Sequence, residues 1–195
     1  VILRALILAL SVGLVIGCGK AKDTAQDLGQ KIEAPELMHT WAGKCAGSGL
    51  LGLSTRSFYQ FDGNKAWDQR EFYKTGDCHG SPSATVRYAG DLDLQSDSAV
   101  VSGARNIHVR WQSVATNAAD DVGKGLLAVY PLTKVPSDEY NIAKADSANH
   151  VLYLGDRGSR QDLSNPADRP TKLADQSPFH EEQKDLSRWP PHAAD

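Results

Sequence analysis

Three cysteines and one methionine are all the sulfur in 195 residues, and aromatic side chains make up only 7%. So sparse a cysteine content excludes a disulfide-dense miniature scaffold. No apolar run reaches the ~20 residues that a bilayer-spanning helix needs. Long blocks of one charge sign are absent and the formal charge is −3. Phosphate binding needs a clustered positive surface, so nucleic acid is excluded as the main partner. The sequence also lacks a Walker loop, a GxGxxG that leads from a strand into a helix, HExxH, an EF-hand loop and a GxSxG elbow. It therefore assigns no catalytic residue, no metal ligand and no cofactor. At 23% charged residues the chain is not disordered throughout, and its length suits one domain with a real core.

The first residues read as an address. Arg4 precedes an apolar stretch from Ala5 to Ile16 that is interrupted only by Ser11 and Gly13. That length fits the core of a secretory signal peptide. Val15-Ile16-Gly17-Cys18 resembles the lipobox of bacterial lipoproteins. The resemblance implies cleavage before Cys18, with lipidation of its thiol and of the new amino terminus. Each buried methylene contributes ~0.8 kcal/mol, so several acyl chains hold a protein stably where one does not. The partner so implied is a membrane, engaged through diacylglyceryl and acyl groups on Cys18. Gly19, in place of Asp, resembles the outer-membrane class of enteric lipoproteins.

Residues 1–17 are accordingly set apart as the helical signal peptide, and 18–36 as the lipidated cysteine with a polar tether. In that tether Leu28 and Ile32 are the only large apolar residues after Cys18, and Pro35 blocks helical continuation. Residues 37–180 form the body, and 181–195 read as a polar C-terminal tail containing Trp189-Pro190-Pro191.

Within the body a period of two dominates. Val86, Tyr88, Gly90, Leu92 and Leu94 share one parity; Ile107, Val109 and Trp111 alternate with Asn106, His108 and Arg110. Leu126, Ala128, Tyr130 and Leu132 read as a further strand. Tyr59 and Phe61 run into Asp62-Gly63-Asn64, a tight-turn signal. Trp67 and Tyr73 bracket the next strand, although Gln69 and Glu71 on their parity spoil an apolar face. Residues 139–144 and 150–155 read as a final hairpin. The expected fold is all-β: an antiparallel meander of about eight strands that closes into a barrel or half-barrel. A β-sandwich is the alternative.

Cys45 and Cys78 lie in the body, and an oxidising envelope permits them to pair. A bridge closing that loop contributes ~3–4 kcal/mol in the chain-entropy model. A metal site from Cys45, Cys78, His79 and His39 is the competing reading, with no CxxC or HxxxH spacing behind it. The series His39-Thr40-Trp41, Cys45, Ser57-Phe58-Tyr59-Gln60-Phe61 with Gly63, Cys78 and Tyr88-Ala89-Gly90 resembles that of small lipocalin-like bacterial lipoproteins, related in pattern to the extracellular APCDD-type barrel domain. Val151-Leu152-Tyr153-Leu154-Gly155-Asp156, followed by Arg169-Pro170-Thr171-Lys172-Leu173, resembles the way such chains end. The resemblance implies an envelope location, a barrel and a Cys45–Cys78 bridge; it implies no reaction.

Among candidates for chemistry, Ser48 between Gly47 and Gly49 reads as a hairpin loop, and Asp91 with Asp93 as a solvated outer face. His108 reads as a surface histidine, and His39, sharing the parity of Trp41, as facing inward. Asp156, Arg157, Arg160 and Asp162 read as a solvated mixed-charge loop. What favours binding is the inward row that closure creates. Trp41, Tyr59, Phe61, Tyr88, Leu92, Ile107 and Trp111 are the candidate ligand-binding residues, lining a pocket for a small apolar molecule or lipid. The alternative is that the same side chains fill a packed core, and that the protein works as an interaction or inhibitor module with an envelope protein as partner.

Overall fold

A computed structural model describes residues 34–158 and 163–188, all within the unit that begins at Ile32. The expected leader, Cys18 and nearly all of the tether lie outside the described residues, as do Arg160, Asp162 and Trp189-Pro190-Pro191. The elements run β1 (Thr40–Ala42), β2 (Ala46–Gly47), β3 (Ser54–Asp62), β4 (Lys65–Tyr73), β5 (Ala84–Asp97), β6 (Arg105–Ala118), α1 (Asp121–Val129), β7 (Glu139–Asp146), β8 (Val151–Leu154) and β9 (Phe179–Glu181). Short 3-10 turns occupy Pro35–Leu37 and Pro166–Asp168.

Every pairing is antiparallel, and the ring closes: β1 pairs with β3 on one side and β9 on the other, with β4 to β8 following in order between them. Eight strands form the barrel and β2 is an addition paired to the start of β3. Closure leaves a barrel no free edge except where β2 lies, which disposes of the sandwich alternative. The seam is the three-residue β9, a strand the alternation did not reveal because so short a segment carries no period.

The expected parity decides the inside. Trp41, Tyr59, Phe61, Val86, Tyr88, Leu92, Ile107, Val109 and Trp111 share one buried core with Phe72, Leu152 and Leu154. The outer face of the barrel carries Arg56, Gln60, Arg87 and Asp91, an arrangement inverse to that of a membrane-spanning barrel. At one end Leu37 inserts from the 3-10 turn, and its carbonyl accepts the Trp41 indole N–H at 3.0 Å. We call this the closed end. The other, loop end carries the β2–β3 connection, residues 74–83, α1 and residues 155–178. The Asp62-Gly63-Asn64 turn appears where expected, with Gly63 at φ 57°. The 139–155 hairpin appears too, its turn held by Asp146 accepting from the Ala148 and Asn149 amides.

Three expectations are corrected. The expected strand at Leu126 to Leu132 is helix α1 and its exit. Asp120 caps it by accepting from the Gly123 amide at 2.9 Å, and Gly123, Leu126, Leu127 and Tyr130 fall at helical spacing. Leu126 and Tyr130 fit either period, so so short a set cannot distinguish them. In β4 the inward residues are Ala66, Asp68, Arg70 and Phe72, while Trp67, Gln69, Glu71 and Tyr73 face out. That outer face is itself covered. Residues 182–188, the first part of the expected tail, lie along it, with Leu186 packed on Ala42, Phe58 and Trp67. His108, expected at the surface, is buried: it stacks on Tyr140 at 4.0 Å and its Nε2 is 3.0 Å from Asp138. The segment that follows β8 reaches Tyr140, with Arg169 over its ring at 5.6 Å and the Leu163 carbonyl accepting its amide, so facing outward there does not mean facing water.

Cys45 and Cys78 are joined in a disulfide that ties the β1–β2 turn to the loop after β4, and this sets aside the metal reading of the two thiols.

Candidate functional site

Inside the barrel the apolar wall is interrupted by a belt of charge. Tyr59 on β3 stands opposite Asp68 on β4, which in turn stands opposite Tyr88 on β5. Inward spacing of two places Arg70 above Asp68, and the Arg70 Nη2 donates to Asp68 Oδ2 at 2.9 Å. Its guanidinium lies over the Tyr88 ring at 5.6 Å. From the opposite wall, Glu139 and Asn141 project inward at the start of β7. Asn141 is fully buried; its Nδ2 donates to Glu139 Oε1 at 2.8 Å, and its Oδ1 accepts the Gly155 amide at 3.1 Å. Arg157, just past β8, completes the belt by donating to Glu139 and, at 3.3 Å, to the Tyr59 hydroxyl.

Two opposite pairs give this belt no net charge, which is the condition under which ionised groups tolerate an interior. Burial, then the nearby Asp68 carboxylate, pushes the Tyr59 hydroxyl well above its ordinary value, so it stays neutral and protonated. The adjacent Asp68 carboxylate likewise raises Arg70, which remains a cation. Burial also raises Tyr88, whose hydroxyl donates to the Leu132 carbonyl at 2.9 Å and so ties the segment after α1 to the inner wall.

The two arginines are not sealed in. Arg70 belongs to the inward face of a central strand, yet 35% of its side chain is open; for Arg157 the figure is 40%. Asp68, by contrast, is 4% open, and its Oδ1 has no hydrogen-bond partner. The belt therefore presents the Arg70 guanidinium to open space and keeps the Asp68 carboxylate behind it.

Of the residues expected to line a pocket, Trp41, Tyr59, Phe61, Tyr88, Leu92, Ile107 and Trp111 all face the one interior and meet in the same core. Tyr88 packs edge-on to Trp111 at 6.3 Å, and Tyr59 edge-on to Phe179 at 5.2 Å. The sequence reading missed Asp68, Arg70, Glu139 and Asn141, and it placed Arg157 on a solvated loop, whereas Arg157 reaches Glu139 and Tyr59. For Asp68 and Arg70 a signal existed, since they share the parity of Ala66 and Phe72. For Arg157 none did, because a loop residue has no parity.

Elsewhere, His39 does not face inward but stands at the closed end, 3.1 Å from Glu181, whose other oxygen is 2.7 Å from His150. Ser48 has no base beside it; its hydroxyl donates to the Leu53 carbonyl and closes the β2–β3 loop. Asp91 is on the outer face as expected, paired with Lys65 at 2.6 Å. Among the described residues no three His, Cys, Asp or Glu side chains are arranged to hold a metal ion, and no helix is long and apolar enough to cross a membrane. Comparison with known proteins finds neither a family model nor a curated protein that matches this chain.

Proposed function

We propose that this protein is a lipid-anchored lipoprotein of the bacterial envelope, facing the periplasm from the outer membrane, whose lipocalin-like barrel binds a small molecule with a large apolar part. The observation that carries the reading is a closed barrel with an aromatic and aliphatic inner wall, into which two partly open arginines project. Apolar walls with a few placed polar groups are how small-molecule sites are built. The reading is of binding without catalysis. The anchor rests on the lipobox resemblance at Cys18 alone.

The test is native mass spectrometry of the full chain carrying Cys18→Ser, purified from the periplasm without detergent. A reproducible adduct of metabolite or lipid mass supports the reading. A bare mass that persists after incubation with a native membrane extract overturns it. The same substitution tests the anchor: Cys18→Ser releases the protein from membranes into the soluble fraction, and retention refutes lipidation at that residue.

A second reading, an interaction module with a filled core, is favoured by Leu51, Val129 and Val135. These apolar side chains stay exposed on the loops and the helix α1 of one end, where a protein partner can cover them.

A further inference from the structure

The geometry points to Arg70 as the anchor of the ligand's head, and to that head as a neutral hydrogen-bond acceptor: the carbonyl of an ester or amide on an otherwise apolar molecule. This rests on the binding reading above and adds the chemistry of the head.

The argument is one of donors, acceptors and charge. Arg70 uses one N–H on Asp68, and among the described residues its other N–H groups have no partner. A third of its side chain is open, so those donors face space that water or a ligand can fill. Trp111, edge-on to the Tyr88 ring over which Arg70 lies, has an indole N–H that is likewise without a partner among the described residues. The acceptors nearby are few. Asp68 Oδ2 is engaged by Arg70 and Asp68 Oδ1 is wholly buried. Glu139, 11% open, takes both Arg157 and Asn141 on Oε1, which leaves only Oε2 to spare. The site therefore has more spare donors than acceptors, which selects a ligand that accepts.

Charge then chooses among acceptors. Asp68 with Arg70 and Glu139 with Arg157 already cancel. A carboxylate brings an extra charge that must lose its water with no unspent cation to balance it, whereas a carbonyl does not. An ammonium is the poorest fit, since it meets guanidinium donors and, for an acceptor, only the nearly buried second oxygen of Glu139.

The test uses the full chain carrying Cys18→Ser and the neutral apolar dye N-phenyl-1-naphthylamine. Displacement is measured with four probes on one alkyl chain: the methyl ester, the carboxylate, the amine and the unsubstituted alkane. The ester is expected to bind about tenfold more tightly than the alkane, the gain of one hydrogen bond to a charged donor, with the amine weakest. Asp68→Asn combined with Arg70→Met removes the pair together and avoids a stranded charge. Arg70→Lys, which keeps the ion pair, is the second variant. Both are expected to bind the dye; the double variant is expected to bring ester and alkane to equal affinity, and Arg70→Lys, whose ammonium keeps N–H donors, to retain part of the ester preference. A carboxylate that binds most tightly, an ester no better than the alkane, or an ester preference that survives undiminished in the double variant overturns the assignment and leaves the binding reading standing. Failure of the parent chain to bind the dye or any probe overturns both.

Discussion

Two glycines of α1 separate what a helix prefers from what the tertiary contact allows. Alanine is the better helix former at either position. A Cβ at Gly125 meets nothing within 4 Å, whereas one at Gly123 falls 1.9 Å from the Ser83 carbonyl oxygen. Gly125→Ala is expected to stabilise by ~0.5–1 kcal/mol, and Gly123→Ala to destabilise by about 1–3 kcal/mol or more through overpacking. Chemical denaturation of the two variants reads the opposite signs, and equal effects refute the close contact. At this scale the sequence is least explicit. The pattern GKG is symmetric, and only the approach of β5's leading residue makes one glycine obligatory. His108 teaches the same: its parity is outward, as read, but its ring stacks on Tyr140 of the neighbouring strand and its Nε2 meets Asp138.

Among the elements, the weakest and the least predictable is β9, with two residues paired to each neighbour. Its last residue, Glu181, is held by His150 and His39 from the flanking strands' ends. The hydrogen bond from His150, with the charge of His39 beside it, lowers the Glu181 carboxyl below its ordinary value. A carboxyl so lowered contributes stability that is present above its unfolded pKa, ~4.3, and lost as pH falls through the folded one. Glu181→Gln is therefore expected to lower the melting temperature at neutral pH and to make it fall less in acid. Parallel acid profiles of variant and parent refute that role. The segment 182–188 offers a second test. Leu186 is buried against Ala42, Phe58 and Trp67, its amide donates to Gln60 Oε1, and Lys184 reaches the buried Glu71 at 2.5 Å. Leu186→Ala is expected to destabilise by about 2–5 kcal/mol. A loss near zero in an unfolding titration means that the segment is not packed in solution. The polar composition of 181–195 hides this, because one leucine among charged residues shows no pattern until the wall it covers is known.

For the whole molecule the disulfide is the one covalent constraint among the described residues. It closes the stretch from Cys45 to Cys78, which contains β2, β3 and β4, and so restricts the unfolded chain across two of the barrel's eight strands. Reduction is expected to cost ~3–4 kcal/mol in the chain-entropy model, read as the difference between unfolding titrations with and without reductant. Two free thiols in non-reduced peptide mapping refute the bridge. The loop end, which the bridge braces, is also where α1, Tyr130 and Leu132 pack onto the apolar core. The closed end is stopped by Leu37, so any route to the interior passes the loops.

The all-β class, the inward row from Trp41 to Trp111, the Gly63 turn and the last hairpin were legible in the sequence, because alternation is a local property and a pleated strand obeys it residue by residue. The seven candidate lining residues follow from that alone. The belt of Asp68, Arg70, Glu139 and Arg157 was not legible, nor was the covering of the outer wall by 182–188. Both depend on segments far apart in the chain meeting across or against a closed barrel. A charged residue at an inward position reads as an error of pattern until its opposite partner is in place. Local periodicity thus determined which side chains face the interior; only closure of the ring decided that four charges meet there, cancel, and leave two arginines open.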